Sequence, residues 1–295
     1  MRYRPFARTG IAVSTISLAL DGEGDESRPV AWRDLVHAAF EEGINTFELI
    51  RPSPALLEGF AEGISAVKRS LLFVALRADP EVEGPHLGRW AYETVQKAHV
   101  GALNLFSVEA DAAKAHGVLS SLRRLKEADV VHHVAAAGAG DALEEALESG
   151  AFDAVITPFN LLSTWRDRNL VRRALESHMG VIAADPCPVA IDTLIEAAKV
   201  EAKPGWFKKP KPLAGSGTYV FLQSTPGWSP EQLCLAYPLT EPAVATVQAV
   251  AVDRKHLTAL AEVADRDMPS TVSAQIEMAR FSAETSGGGA ERRSA

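Results

Sequence analysis

Cysteine is nearly missing from this chain: Cys187 and Cys234 are the only two in 295 residues. Two thiols without metal-ligand spacing exclude a disulfide framework and a cysteine-based metal centre, and they suit a reducing compartment. Long apolar runs are also missing. No stretch approaches the roughly 18 residues of a membrane span, and residues 1–6 carry charges rather than an apolar leader segment. The expectation is a cytoplasmic protein with neither signal peptide nor anchor. Basic charge is in deficit, with 30 Lys and Arg against 38 Asp and Glu, a net −8. That balance makes a nucleic-acid backbone a poor partner. The glycine-rich dinucleotide fingerprint is absent too. After the first strand-like run the chain reads Leu20-Asp21-Gly22-Glu23-Gly24, which lacks the full spacing and sets acids where phosphates would lie.

What is present is alternation. Hydrophobic residues make up 47% of the chain, and an α/β barrel needs about 250 residues, so one domain accounts for the length. Short β-like runs are predicted at 15–20, 44–49, 72–76, 103–106, 130–136, 154–158, 180–184 and 243–250. Helical spacing is predicted at 30–42, 54–67, 87–98, 112–126, 141–149, 167–177 and 254–264. Strands separated by helices imply a parallel sheet, and continuously apolar strands imply that both faces are covered. Such units close into a barrel or wind into an open sheet; the missing fingerprint favours the barrel. One domain over 1–281 is expected, with 282–295, which contains Gly287-Gly288-Gly289, as a disordered tail.

Several segments, in order, carry a family resemblance. The opening Tyr3-Arg4-Pro5-Phe6-Ala7-Arg8-Thr9-Gly10-Ile11-Ala12-Val13-Ser14 resembles that of the aldo-keto reductases, whose members begin with a basic-Thr-Gly hairpin. Gly43-Ile44-Asn45-Thr46-Phe47 is similar to that family's second strand. The passage from Leu147-Glu148-Ser149-Gly150 to Phe159-Asn160-Leu161-Leu162 resembles its approach to the sixth strand. Gly180-Val181-Ile182-Ala183 is similar to the seventh strand, and Pro230-Glu231-Gln232-Leu233 to the helix before the last. The resemblance implies a (β/α)8 TIM barrel with an N-terminal β-hairpin.

It also implies a chemistry, and the residues that chemistry needs are replaced. The family uses a tyrosine as proton donor, a lysine and an aspartate that tune it, and a histidine that orients the substrate. The matching positions here hold Ser53, Arg77, Glu48 and Ser107. Serine has no phenolic acidity, and arginine does not exchange a proton near neutrality. Glu48 and Arg77 either form an ion pair where that tetrad would stand or are unrelated surface charges. The family's nicotinamide-holding Ser-Asn pair reads Ala135-Ala136-Ala137-Gly138, and its stacking aromatic is Ala184, followed by Asp185. Candidate cofactor contacts that remain are Asn160, Asp185, Arg254 and Lys255. The last two either attract an anion at a helix N-terminus or are solvated first-turn charges. NAD(H) is thus implied by the resemblance, through altered motifs.

Other candidates are weaker. His132 and His133 are adjacent on a strand and point to opposite faces, so they do not share a metal. Cys187, beside Asp185, needs a base to act as a nucleophile and otherwise is an inert thiol. Gly215-Ser216-Gly217 lacks the lysine-serine ending of a phosphate loop. The segment 199–217 places Trp206 and Phe207 beside Lys208 and Lys209 among prolines. Aromatics and cations on loops are enriched at protein interfaces; the other reading is a plug over the barrel mouth. The whole pattern resembles a branch of the family without the tetrad, the oxidoreductase-like cell-division regulators of alphaproteobacteria. That resemblance implies a non-catalytic protein whose partners are FtsZ and a histidine kinase. The alternative is an enzyme with altered chemistry, a divergent oxidoreductase or an isomerase or lyase, built on Glu48, Arg77 or Asp185.

Overall fold

The computed structural model describes residues 1–24, 28–189, 191, 193, 219 and 221–278. The segment 199–217, with Trp206, Phe207, Lys208 and Lys209, and the tail 282–295 lie outside the described residues.

A short antiparallel hairpin comes first, β1 (Tyr3–Pro5) with β2 (Ala12–Ser14). Eight parallel strands follow: β3 (Ile16–Asp21), β4 (Thr46–Ile50), β5 (Phe73–Arg77), β6 (Leu103–Glu109), β7 (Val131–Ala137), β8 (Ala154–Pro158), β9 (Gly180–Ala184) and β10 (Thr246–Ala249). They close in chain order, with β10 pairing both β9 and β3. The helices between them are α1 (Pro29–Glu41), α2 (Pro54–Ile64), α3 (Leu87–Lys97), α4 (Val118–Glu127), α5 (Gly140–Glu148) and α6 (Trp165–Glu176). Helices Pro230–Ala236 and Arg254–Ala261 flank β10. None of the described helices is long and apolar enough to cross a membrane.

The expected barrel and hairpin therefore form. The differences lie at element ends and have local causes. The helix expected over 112–126 breaks into a single 3-10 turn at Ala112–Lys114 and α4, because Gly117 turns left-handed at φ 82°. α6 starts earlier than the pattern suggests, because Thr164 and Asp167 form a reciprocal capping box around its first turn. The last barrel strand shortens to four residues, Thr246–Ala249.

Alternation decides what each strand residue does. On β4, Phe47 and Leu49 pack outward under the helices, so Thr46 and Glu48 face the lumen. On β10, Val247 and Ala249 pack outward and Thr246 and Gln248 face inward. The outer core is held tightly where α1 crosses α2. A side chain at Gly59 would meet Pro29 O at 2.2 Å, and one at Gly63 would meet Val36 at 2.8 Å. Only glycine permits that approach.

The lumen has its own small apolar cluster, based on Phe6, Val13, Phe73, Ala75, Leu105 and Ala135. Phe6, from the turn of the hairpin, is wholly buried against Phe73 with ring centroids 4.7 Å apart. Gly180 gives it room: a Cβ there would lie 2.5 Å from the Phe6 ring. The hairpin is tied down by Arg4, whose guanidinium donates to the carbonyls of Leu239 (2.7 Å) and Val244 (2.6 Å). The N-terminal end of the barrel is thus stoppered by an aromatic ring.

Closing eight strands requires a steady stagger from strand to strand, so inward residues on alternate strands share a level. The register places Glu48, Ser107, Ile156 and Gln248 on one level. Ser17, Ala75, Ala135 and Ile182 lie beneath them, and Ala19, Arg77, Ala137 and Ala184 above. A barrel usually fills these layers with Val, Ile and Leu; here alanine and polar residues predominate.

Removing the stopper exposes a core with nothing to replace it. Phe6→Ala should cost about 3–5 kcal/mol of stability, measured by urea unfolding, with the barrel's far-ultraviolet signature retained before the transition.

Candidate functional site

Barrel strands deliver their chemistry at their C-terminal ends, and here those ends are charged. Glu48 sits near the end of β4 and Arg77 at the end of β5. Arg77 Nε donates to Glu48 Oε1 at 3.0 Å and Nη2 to Oε2 at 3.4 Å, a forked pair. The Glu48 side chain is 3% exposed and that of Arg77 22%. The ion pair, left open by sequence alone, is therefore formed, and it lies inside the mouth rather than on the outer surface. Burial pushes the Glu48 carboxyl above the ordinary carboxylate range, against the pull of Arg77 and the nearby Ser107 hydroxyl. Arg77 also loses hydration, but Glu48, Glu109 and Asp21 more than offset that loss and raise its pKa, so it stays charged.

Ser107 neighbours Arg77 in register and is wholly buried. Its Oγ makes no well-formed hydrogen bond among the described residues. Ser53 does not reach this group. It caps α2 instead, its Oγ accepting from Leu56 N at 3.1 Å. A side chain at the neighbouring Gly22 would collide with Ser53 N at 2.5 Å, so these two loops pass in close contact.

Two non-glycine residues at the mouth hold left-handed backbone, Arg51 at φ 42° after β4 and Asp185 at φ 45° after β9. Such strain persists only where neighbours impose it. Arg51 is held by Asp21, with Nε to Oδ1 at 3.2 Å, and by an ion pair with Glu23. Asp185 is held by Asn160, whose Nδ2 donates to the Asp185 carbonyl at 2.9 Å. Asn160 Oδ1 in turn accepts from Leu162 N at 2.9 Å. Burial raises the Asp185 carboxyl pKa.

The structure thus joins Asn160 to Asp185 but commits both polar ends of the Asn160 amide internally. Arg254 pairs with Glu41 on α1. The helix start where an anion would dock is capped by Asp253, whose Oδ1 accepts from His256 N at 2.8 Å; Lys255 stays exposed beside it. The four residues assigned to NAD(H) therefore form no common cradle. A carboxylate already fills the helix N-terminus, and these residues do not fit a dinucleotide's phosphates. His133 faces Asp153 at 4.0 Å while His132 lies near Asp129 at 3.6 Å, so the two histidines diverge. Among the described residues no cluster could hold a metal ion. Cys187 is half-buried against the outer core.

The chain's four tyrosines are all described and all stand elsewhere. Tyr3 donates to Gly43 O at the hairpin, at 2.7 Å. Tyr92 is exposed on α3. Tyr219 and Tyr237 are buried in the outer core, Tyr237 stacked on Phe159 at 6.1 Å.

No family model and no curated protein matches the sequence. Solved structures do. An aldo-keto reductase of Bacillus halodurans superposes in its holo form with a TM-score of 0.74 at 13% identity, covering 95% of this chain and 96% of that one. Its apo form gives 0.69 at 14% identity, with 95% and 96% covered. A Pseudomonas aeruginosa protein, provisionally described as an aldo-keto reductase, gives 0.63 at 15% identity over 89% of this chain and 93% of its own. The fold of this chain is the aldo-keto reductase barrel.

Breaking the central pair leaves one buried charge alone. Arg77→Met should destabilise the protein by about 3–5 kcal/mol, and adding Glu48→Gln should recover most of that loss. The pH dependence follows from the raised Glu48 pKa. Its stabilising contribution is complete below the unfolded carboxyl value, near 4.5, and is lost as pH rises through the higher folded value. The stability advantage of wild type over Glu48→Gln should therefore grow as pH falls toward 4.5, as read from urea melts at successive pH values.

Proposed function

We propose that this chain is a non-catalytic relative of the aldo-keto reductases that acts through protein–protein contacts. The observation that carries the reading is the Glu48–Arg77 pair, with all four tyrosines placed elsewhere. Carbonyl reduction needs a proton donor of suitable pKa at the mouth. A guanidinium held charged by three acids is not one. NAD(H) has no part in the proposal, because the Asn160 amide is engaged with the Asp185 carbonyl and Leu162 N, and Arg254 with Glu41, which leaves Lys255 exposed without a companion.

Within that class the reading favours a KidO-like cell-division regulator in the cytoplasm, with FtsZ and a histidine kinase as partners. Its support is the sequence resemblance together with the segment Trp206-Phe207-Lys208-Lys209. The lysines suit an acidic partner surface. A second reading is an enzyme of altered chemistry, such as an isomerase or lyase. The left-handed Arg51 and Asp185 at the strand ends favour it, since backbone strain gathers at working sites.

Turnover separates these readings. Purified protein with NADH or NADPH and a panel of aldehydes should show no oxidation above the buffer rate; steady oxidation would sink the non-catalytic assignment. Capture of FtsZ by the full chain should weaken in Trp206→Ala and Phe207→Ala. Undiminished capture removes that segment from the contact, and no capture at all removes FtsZ.

A further inference from the structure

Three buried polar atoms make no well-formed hydrogen bond among the described residues: Ser107 Oγ, which lies close to the Glu48 carboxyl, Thr246 Oγ1 and Gln248 Nε2. All three side chains face the barrel lumen. Ser107 and Thr246 are wholly buried, and Gln248 is 7% exposed. A buried unsatisfied donor costs about 1–3 kcal/mol, and an apolar replacement of like shape removes that cost. Three in one lumen therefore call for an explanation.

The placement of two of them, Ser107 and Gln248, supplies one. β6 and β10 are separated by three strands on one side of the closed barrel and three on the other. Ser107 and Gln248 thus face each other across the axis, on the level that also holds Glu48. Above them the wall is three alanines, Ala19, Ala137 and Ala184, with Arg77 as the fourth member. Bulky aliphatics at this level would fill the lumen; three alanines fill much less of it. Below, Phe6 closes the other end.

We propose that the Glu48–Ser107–Gln248 level is the floor of a lumen site for a small uncharged molecule carrying a hydrogen-bond donor and an acceptor on neighbouring groups, as a vicinal diol or a primary amide does. The acceptor of the guest takes the Gln248 Nε2 hydrogen, its donor meets the Glu48 carboxylate, and the Ser107 hydroxyl completes either role. The guest is uncharged because Glu48 and Arg77 neutralise each other, leaving no counter-ion for a buried charge. It is small because the backbone of eight strands bounds the space. The site does not rest on the function proposed above, since a silent or an active barrel can carry it.

The test uses full-length protein labelled at alanine methyl carbons, titrated at millimolar concentrations with 1,2-propanediol or with propionamide. The methyl resonances of Ala19, Ala137 and Ala184 should shift with at least one probe, and which probe acts identifies the chemistry. In Gln248→Met, which keeps the side-chain length, the apparent affinity should fall roughly tenfold, while the other alanine signals report an intact fold. Ala137→Leu should take up the space above the floor and abolish the shifts. No lumen shift with either probe, or shifts that persist unchanged in Gln248→Met, would overturn the proposal.

Discussion

Closure is the constraint on which the rest depends. Once β10 pairs with both β9 and β3, every strand residue is either under a helix or inside a tube. The stagger then fixes which inward residues share a level. Glu48 and Arg77 meet because they are inward residues of adjacent strands at successive levels. Gln248 shares its level with Glu48, Ser107 and Ile156, yet its Nε2 reaches no acceptor among the described residues. The same alternation that gives β4 its outward Phe47 and Leu49 leaves no position for Glu48 except the interior.

The two arginines of the mouth are consequently both held by acids. Glu48 answers Arg77, while Arg51 answers Asp21 and Glu23. Buried ion pairs contribute little net stability compared with apolar packing. Their presence here sets the electrostatic character of the lumen. The pair occupies the entrance as a neutral unit, and the acids around Arg77 keep it from releasing its proton.

The barrel was legible in the sequence because its signals are periodic. Continuous apolar runs at 72–76 and 180–184 read as covered strands, and both are. The Glu48–Arg77 pair was legible as one of two possibilities, since strand-end positions can be counted while contacts cannot. Ser53 was placed at the tetrad by spacing, but the Pro54 that follows starts a helix, and the serine serves that helix as its cap. Arg254 and Lys255 looked like an anion site until Asp253 proved to fill the helix start. Thr246 and Gln248 were missed. The available signal was their alternation with Val247 and Ala249, and it was lost inside a run that read as continuously apolar. The Asn160 clamp gave no signal, because a contact across 25 residues leaves no local trace.

That clamp has a mechanical corollary. Asn160 belongs to the loop after β8, and the carbonyl it grips belongs to the loop after β9. The Phe159 N–H reaches the Ala184 carbonyl in parallel, at 3.0 Å. Two neighbouring rim segments are thereby yoked, and Asp185 is parked in a backbone well it would leave if let go. Tugging on either segment loads the other, so the rim on this side answers force as one stiff lever instead of two independent flaps.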